Sequence, residues 1–407
     1  LPAAPVQAGT AASTVGWTPG LDAAGLEFSW TFGDGSPATP WSATSATAYT
    51  FTAPGVYTVT LTARNAAGQS ASTSFVQAVH AAPTATAARS SSAMLLEPRS
   101  GGASTRLWVV NPDNNSVGVI DTATNARVAE IAVGAAPRTL ARAPDGTVWV
   151  VNRDGASISV VNPSTLAVTR TVALPRASQP YGLVFAPNGG AAYVALEAGA
   201  RLLRLNPGTG AETGSWATAG GARHLAISGD SARLLVSRFV TAPLPGEGTA
   251  AVNTSGAVGG EVWVYTTSTM TLAQTVPLRH SERADSSTQG SGIPNYLGAP
   301  AISADGRSAW VPAKQDNIKR GSLRNGLALD FQNTVRAISA RIDLAAATPV
   351  ELEPQRIDHD NASVASAAVH DPTGAYLFVT LETSRQVAVV DAARGLELFR
   401  IEAGLAP

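Results

Sequence analysis

The 407-residue chain contains no cysteine. Disulfides, thiolate metal sites, cysteine nucleophiles and covalently attached c-type haem are therefore excluded within this sequence. Lysine is almost absent too: Lys314 and Lys319 are the only two, and every other basic residue is arginine. Charged residues make up 14% of the chain and the formal net charge is −1. No broad field of one sign would draw it to nucleic acid or to an anionic membrane. No run of about 18 apolar residues exists, so no membrane span is expected. The five histidines, His80, His224, His280, His359 and His370, form no pair at metal-ligand spacing. A nucleophile elbow, a phosphate loop and a dinucleotide fingerprint are all missing. The chain opens at Leu1-Pro2 without methionine, consistent with a processed or trimmed start.

What is present is a phrase that returns. Leu107-Trp108-Val109-Val110-Asn111 recurs as Val148-Trp149-Val150-Val151-Asn152, with echoes around Tyr193, Leu235, Trp310 and Phe378. The first steps are 41, 44 and 42 residues. A period near forty, built from short β-rich segments, predicts a β-propeller. In the first repeat the expected strands are Arg106–Asn111, Ser116–Asp121, Ala126–Ile131 and a fourth starting at Pro137. Later steps stretch to 75 and 68 residues, which places insertions at Gly246–Gly260, Ser281–Asn295 and Gln315–Asn333. Counted this way, the chain holds five full blades and most of a sixth. The last repeat would lack its fourth strand, and ring closure would require a further blade from continuing sequence or a partner.

Residues 1–80 read differently. Phe28 to Phe32 alternates as a half-buried strand, Gly33-Asp34-Gly35 turns, and Val56 to Ala63 alternates again with Tyr57, Val59 and Leu61 on one side. The run Trp30-Thr31-Phe32-Gly33-Asp34-Gly35 and the strand around Tyr57-Thr58-Val59-Thr60-Leu61 resemble a PKD (polycystic-kidney-disease) domain, with a first strand that is short or absent. That resemblance implies an immunoglobulin-like sandwich in an extracellular, cell-surface or periplasmic protein. Asp34 has two readings, a metal ligand or a turn residue that bonds its own backbone. Residues 81–105 read as a linker, with a short strand at 93–97 that could help close the ring. Residues 106–407 form the propeller. The fold class is thus all-β, a PKD-like sandwich followed by a β-propeller.

The repeat wording Trp-Val-Val-Asn followed by Ser116-Val117-Gly118-Val119-Ile120-Asp121-Thr122-Ala123-Thr124-Asn125 resembles the YVTN family of bacterial propellers, which implies seven blades when complete. Segments 314–321, 333–338, 357–361 and 381–385 are similar to the propeller part of large bacterial proteins that carry a di-haem peroxidase-like cytochrome region. With no Cys-x-x-Cys-His here, that resemblance brings haem c only if the native protein extends beyond Pro407.

The polar cluster of greatest interest lies in and after the fifth repeat: Asp316, Asn317, Lys319, Arg320, Arg324, Asn325, Asp330, Asn333, His359, Asp360 and Asn361. Insertions between propeller strands gather on one face, and that face commonly binds partners. Arginine and lysine beside carboxylates could hold a partner's acidic patch. The oxygens could take calcium, although the twelve-residue calcium-loop spacing is absent. A self-paired charge set that pins long loops is the third reading. No catalytic set is evident, and an independent lactonase or quinoprotein finds no convincing axial carboxylates. The function expected is a non-catalytic docking or scaffold module whose partner is another protein. The alternative is the propeller part of a redox enzyme whose cytochrome domain lies elsewhere.

Overall fold

The computed structural model describes residues 4–8, 14–249, 251–256 and 259–404, and is almost entirely β. Contacts divide it into two compact units. One holds the chain up to Thr84 with Val369–Phe378 and Ala388–Ile401; the other holds Ala85–Ala368, Val379–Val387 and the last residues.

In the first unit, Val6–Gln7, Ser70–His80, Gly55–Asn65 and Leu26–Thr31 hydrogen-bond in that order, and Thr14–Trp17 pairs with Thr47–Thr50. The alternation expected of Val56–Ala63 is realised: Tyr57, Val59 and Leu61 are buried against Trp30, Phe32 and Phe51, while Thr58 faces out. Gly33 is required at its turn. Its φ is +73°, and a Cβ there would stand 2.5 Å from the Thr58 carbonyl oxygen. Asp34 accepts from the Ser36 N–H at 3.0 Å, the Ser36 hydroxyl at 2.6 Å and the Tyr49 hydroxyl at 2.6 Å. Burial pushes its pKa up, but those hydrogen bonds outweigh burial and hold the carboxyl below its usual range. This is the geometry of a turn residue. Within the same unit, the Val56 N–H donates to the fully buried Asp391 carboxylate at 2.8 Å.

The repeats form successive antiparallel meanders. Sheet 1 is Met94–Glu97, Arg106–Asn111, Ser116–Asp121 and Ala126–Ala132. Sheet 2 is Pro137–Arg142, Val148–Asn152, Ser157–Asn162 and Ala167–Ala173. Sheet 3 is Pro180–Phe185, Ala192–Leu196, Arg201–Leu205 and Glu212–Ala217. Sheet 4 is Ala222–Ile227, Arg233–Arg238, Gly259–Thr266 and Thr271–Arg279, with Arg89–Ser90 added beside Ala222–Ile227. Sheet 5 is built on Ser308–Asp316 and Val335–Asp343. Sheet 6 is Ala365–His370, Tyr376–Leu381, Gln386–Asp391 and Leu396–Glu402. The first strands of sheets 2, 3 and 4 pack against one another as inner strands. This is the β-propeller architecture.

Two sequence expectations are corrected by the pairing. Pro137–Arg142 bonds Val148–Asn152, so it opens sheet 2 and does not finish sheet 1. By the same shift, 365–402 is a complete four-stranded sheet, and the fourth strand expected to be missing there is Ala365–His370. A repeat period defines length but not phase, so a strand lying between two copies can be allotted to either. The strand expected at 93–97 forms as Met94–Glu97 and pairs with Arg106–Asn111, next to it in sequence. Glu97 accepts from the buried Trp108 indole at 2.7 Å.

The recurring aromatic fills the core: Trp108, Trp149 and Trp310 are fully buried. In sheets 2 and 3 the second strand is buried on both faces. In sheet 6 the second strand alternates, with Leu377, Val379 and Leu381 buried and Tyr376, Phe378 and Thr380 half-buried, the pattern of a sheet covered on one face.

Candidate functional site

Three successive inner strands break their pairing at the same point. The register shifts between Pro137 and Thr139 in sheet 2, between Pro180 and Leu183 in sheet 3, and between Ala222 and His224 in sheet 4. The residues inside these bulges are Arg138, Tyr181 with Gly182, and Arg223. In sheet 5 the inner strand is interrupted outright between Ile293–Asn295 and Ala301–Ile302, and Tyr296 follows the first piece at φ +51°. A bulge bends its strand and re-aims a side chain. Each second strand runs back to this same end, where Arg153, Glu197 and Phe239 follow sheets 2, 3 and 4, and Lys314 and Asp316 end the strand of sheet 5.

Apart from Arg138, whose side chain has no hydrogen bond, ion pair or ring contact among the described residues, these side chains make a continuous ladder. Glu197 is shared by two guanidinium groups, accepting from Arg223 Nε at 3.2 Å and pairing with Arg153 Nε at 3.7 Å. Arg153 also bonds Gln179 at 2.9 Å and pairs with the exposed Asp154 at 3.3 Å. The Arg223 guanidinium lies over Phe239 at 3.4 Å and Tyr181 at 4.4 Å. Phe239 stacks on Tyr296 with centroids 4.7 Å apart, and Lys314 Nζ sits 4.1 Å over the Tyr296 ring. Lys314 pairs with Asp316 at 3.0 Å, and Asp316 accepts from Asn295 at 2.9 Å. Gly182 permits the close approach of sheets 3 and 4, since a Cβ there would lie 2.5 Å from the Arg223 carbonyl oxygen.

His224 stands edge-on to Tyr181 with centroids 5.0 Å apart. Burial, reinforced by the Arg223 charge, lowers its pKa to about 3, so the imidazole is neutral at physiological pH. Across the strand pair His224 faces Ser237, whose fully buried hydroxyl has no hydrogen-bond partner among the described residues. Beyond His224 the inner strand is covered by the segment Arg89–Ser92. Ser91 exchanges hydrogen bonds with Leu225 at 2.8 and 3.0 Å, Ser90 donates to the Pro300 carbonyl at 2.7 Å, and Ser92 bridges to Leu140.

The cluster expected from sequence lies on the same end of the sheets, because its main insertion leaves from Asp316. Asp316 joins the ladder as described. Asn317 is buried and donates to both oxygens of Asp285 at 3.2 and 3.1 Å. Lys319 holds both oxygens of Glu282 at 2.7 and 2.8 Å. Arg320 bridges Asp285 at 2.9 Å and Asp330 at 2.8 Å. Arg324 donates to the Ile318 and Glu247 carbonyls, and Asn325 accepts from Leu327 N–H at 3.0 Å. Asp330 caps Phe331–Thr334, and Asn333 donates back to it at 3.0 Å. His359 is fully buried, 2.9 Å from the Ser339 hydroxyl. Asp360 accepts from Asn361 N–H at 2.8 Å and lies 3.9 Å from Arg336. The insertions are therefore tied to one another by charge pairs. Beneath them, the fully buried Arg356 bonds Glu351 at 2.5 Å, Gln315 at 3.0 Å and the Arg279 carbonyl at 2.7 Å. Among the described residues no group of three or more His, Asp or Glu could hold a metal ion.

Sequence reasoning missed most of the ladder. Its members lie singly in four repeats and make no local motif. The available signal was a column: Arg138, Tyr181 and Arg223 each follow the first residue of an inner strand, and Arg153 and Glu197 each follow a second strand.

Residues 3–78 match the PKD domain family model. No curated protein sequence matches the chain significantly. Among solved structures, the chain is similar to hydrazine synthase of Kuenenia stuttgartiensis, at 18% identity and a TM-score of 0.57 over 74% of this chain and 84% of that one. It is also similar to a putative 6-phosphogluconolactonase of Bacteroides uniformis, at 14% identity and a TM-score of 0.50 over 94% and 98%. At such identities the likeness extends to the fold alone. The chain thus joins a PKD domain to a β-propeller.

Proposed function

We propose that this chain is a non-catalytic binding module of a secreted or cell-surface bacterial protein, in which the propeller docks another protein. The observation that carries this reading is the ladder itself: bulges at one point of three inner strands bring arginine and aromatic side chains from four sheets to one end. Arginine and tyrosine are the residues that anchor protein interfaces. The charge-tied insertions bearing Asp316, Lys319, Arg320, Arg324 and Asn333, with Asp360 and Asn361 beside them, widen the same end and form the rim of the docking face, while Asn317 and His359 are buried and support it from beneath. The PKD domain serves as spacer or lateral contact and supports an extracellular or periplasmic setting. The repeat wording supports a place among YVTN propellers. No observation among the described residues favours the redox alternative, which rests on local wording in segments 314–385.

A photo-cross-linking residue at Val240, half-exposed beside Phe239, tests this in a secreting bacterial host. The expected result is an adduct with one partner protein from Val240 and none from Val128, exposed on the outermost strand of sheet 1. Adducts from neither position, or from Val128 alone, would overturn the docking role.

A further inference from the structure

Resting on that reading, we infer that the ladder recognises carboxylates, and that its ligand is an acidic, extended peptide segment of the docked protein. Arg138 sits in the first bulge, half-buried, and its guanidinium has no partner among the described residues; its Nε is buried without a hydrogen bond. Arg223 spends its Nε on Glu197, while its two terminal nitrogens have no partner among the described residues. The group is held rigid between Phe239 and Tyr181. A stacked guanidinium with its outer fork open is pre-organised to take a carboxylate in two parallel hydrogen bonds.

The charge balance agrees. Arg138, Arg153, Arg223 and Lys314 stand against Asp154, Glu197 and Asp316, leaving one cation uncompensated. The one titratable group in this set with an ordinary pKa near neutrality is His224, and it is neutral. The site's charge is therefore constant over physiological pH. The buried Ser237 hydroxyl, opposite His224 across the strand pair and without a partner among the described residues, offers a neutral hydrogen bond close to Arg223. Buried polar groups left unsatisfied need a ligand or water. Tyr296, stacked on Phe239 and exposed, extends the surface toward the sheet 5 insertions, giving the methylene stems of a peptide an aromatic strip to lie on. An extended chain suits this linear set better than a small acid, which could engage only one arginine at a time.

Calorimetric titration of the whole chain with hexaglutamate, hexalysine and free glutarate tests the proposal, with Arg138→Gln, Arg223→Gln and Arg201→Gln as variants. Circular dichroism and melting curves confirm that each variant is folded. Hexaglutamate is expected to bind, to weaken as salt rises, and to lose about tenfold or more in affinity with either ladder variant. Arg201→Gln, on an outer pair of strands of sheet 3, leaves binding unchanged, and hexalysine does not bind. Hexaglutamate binding that is indifferent to Arg138→Gln and Arg223→Gln overturns the assignment. Glutarate bound as tightly as the peptide makes this a small-molecule site and overturns the peptide. No hexaglutamate binding together with a Val240 adduct overturns only the acidic ligand; loss of both overturns docking as well.

Discussion

Replacing His224 with phenylalanine should remove much of the chain's sensitivity to mild acid. Phenylalanine keeps an aromatic edge against Tyr181 and has no proton to bind. In the native protein the imidazole pKa is about 3, against an ordinary value of 6.5. Between these values the unfolded chain binds a proton that the folded chain refuses, so stability falls as pH falls, by up to about 1.4 kcal/mol per unit. From about pH 7 to about pH 5 the loss is about 2 kcal/mol, and it is nearly the same for any folded pKa below about 4. The size is thus set by the unfolded value and by the fact of burial. The assay is urea denaturation of native protein and His224→Phe at both pH values, with the imidazole proton followed by NMR. The native protein should lose about 2 kcal/mol more than the variant on acidification. Equal losses, or a His224 signal titrating with a midpoint above about 5, would refute the packing described for the ladder.

Three further outcomes follow from the packing. Arg356→Met strands the buried Glu351 carboxylate and should cost about 3–5 kcal/mol by denaturant titration. Burial already raises the Glu351 pKa against the pull of Arg356; without that pull it rises further, so the folded form binds a proton more tightly and the variant's deficit should shrink as pH falls. Gly182→Ala drives a Cβ into the backbone of the Arg223 strand and should cost about 1–3 kcal/mol, with a shift in the His224 NMR signal. In sheet 6, Leu377→Ala should cost about 2–5 kcal/mol, whereas Phe399→Ser, on a side chain 55% exposed, should cost less than about 1 kcal/mol in thermal unfolding.

Much of the fold was legible because strands and turns are written locally. The alternation of Tyr57, Val59 and Leu61, the glycine turn after Phe32, and the return of Trp108 as Trp149 each report burial that a single segment decides. Sheet membership was less legible, because Pro137–Arg142 has the same composition whichever sheet it joins and only pairing decides. The loop cluster could be found as a run of charged residues, but its partners Glu282 and Asp285 lie in a different insertion, 32 to 37 residues away along the chain. The ladder depends on bulge geometry and on contacts between residues as distant as Arg153 and Glu197 or Phe239 and Tyr296. No window of sequence contains it, and only the phase-corrected repeats align its members.

The most direct measurement is amide hydrogen exchange on the whole chain, with and without saturating hexaglutamate. Slowed exchange is expected at 138–139, 179–182, 222–224 and 237–241, with the outer strands of sheets 1 to 3 unchanged. Protection confined to the insertions at 282–292 and 317–334, with the bulged inner strands unaffected, would contradict it.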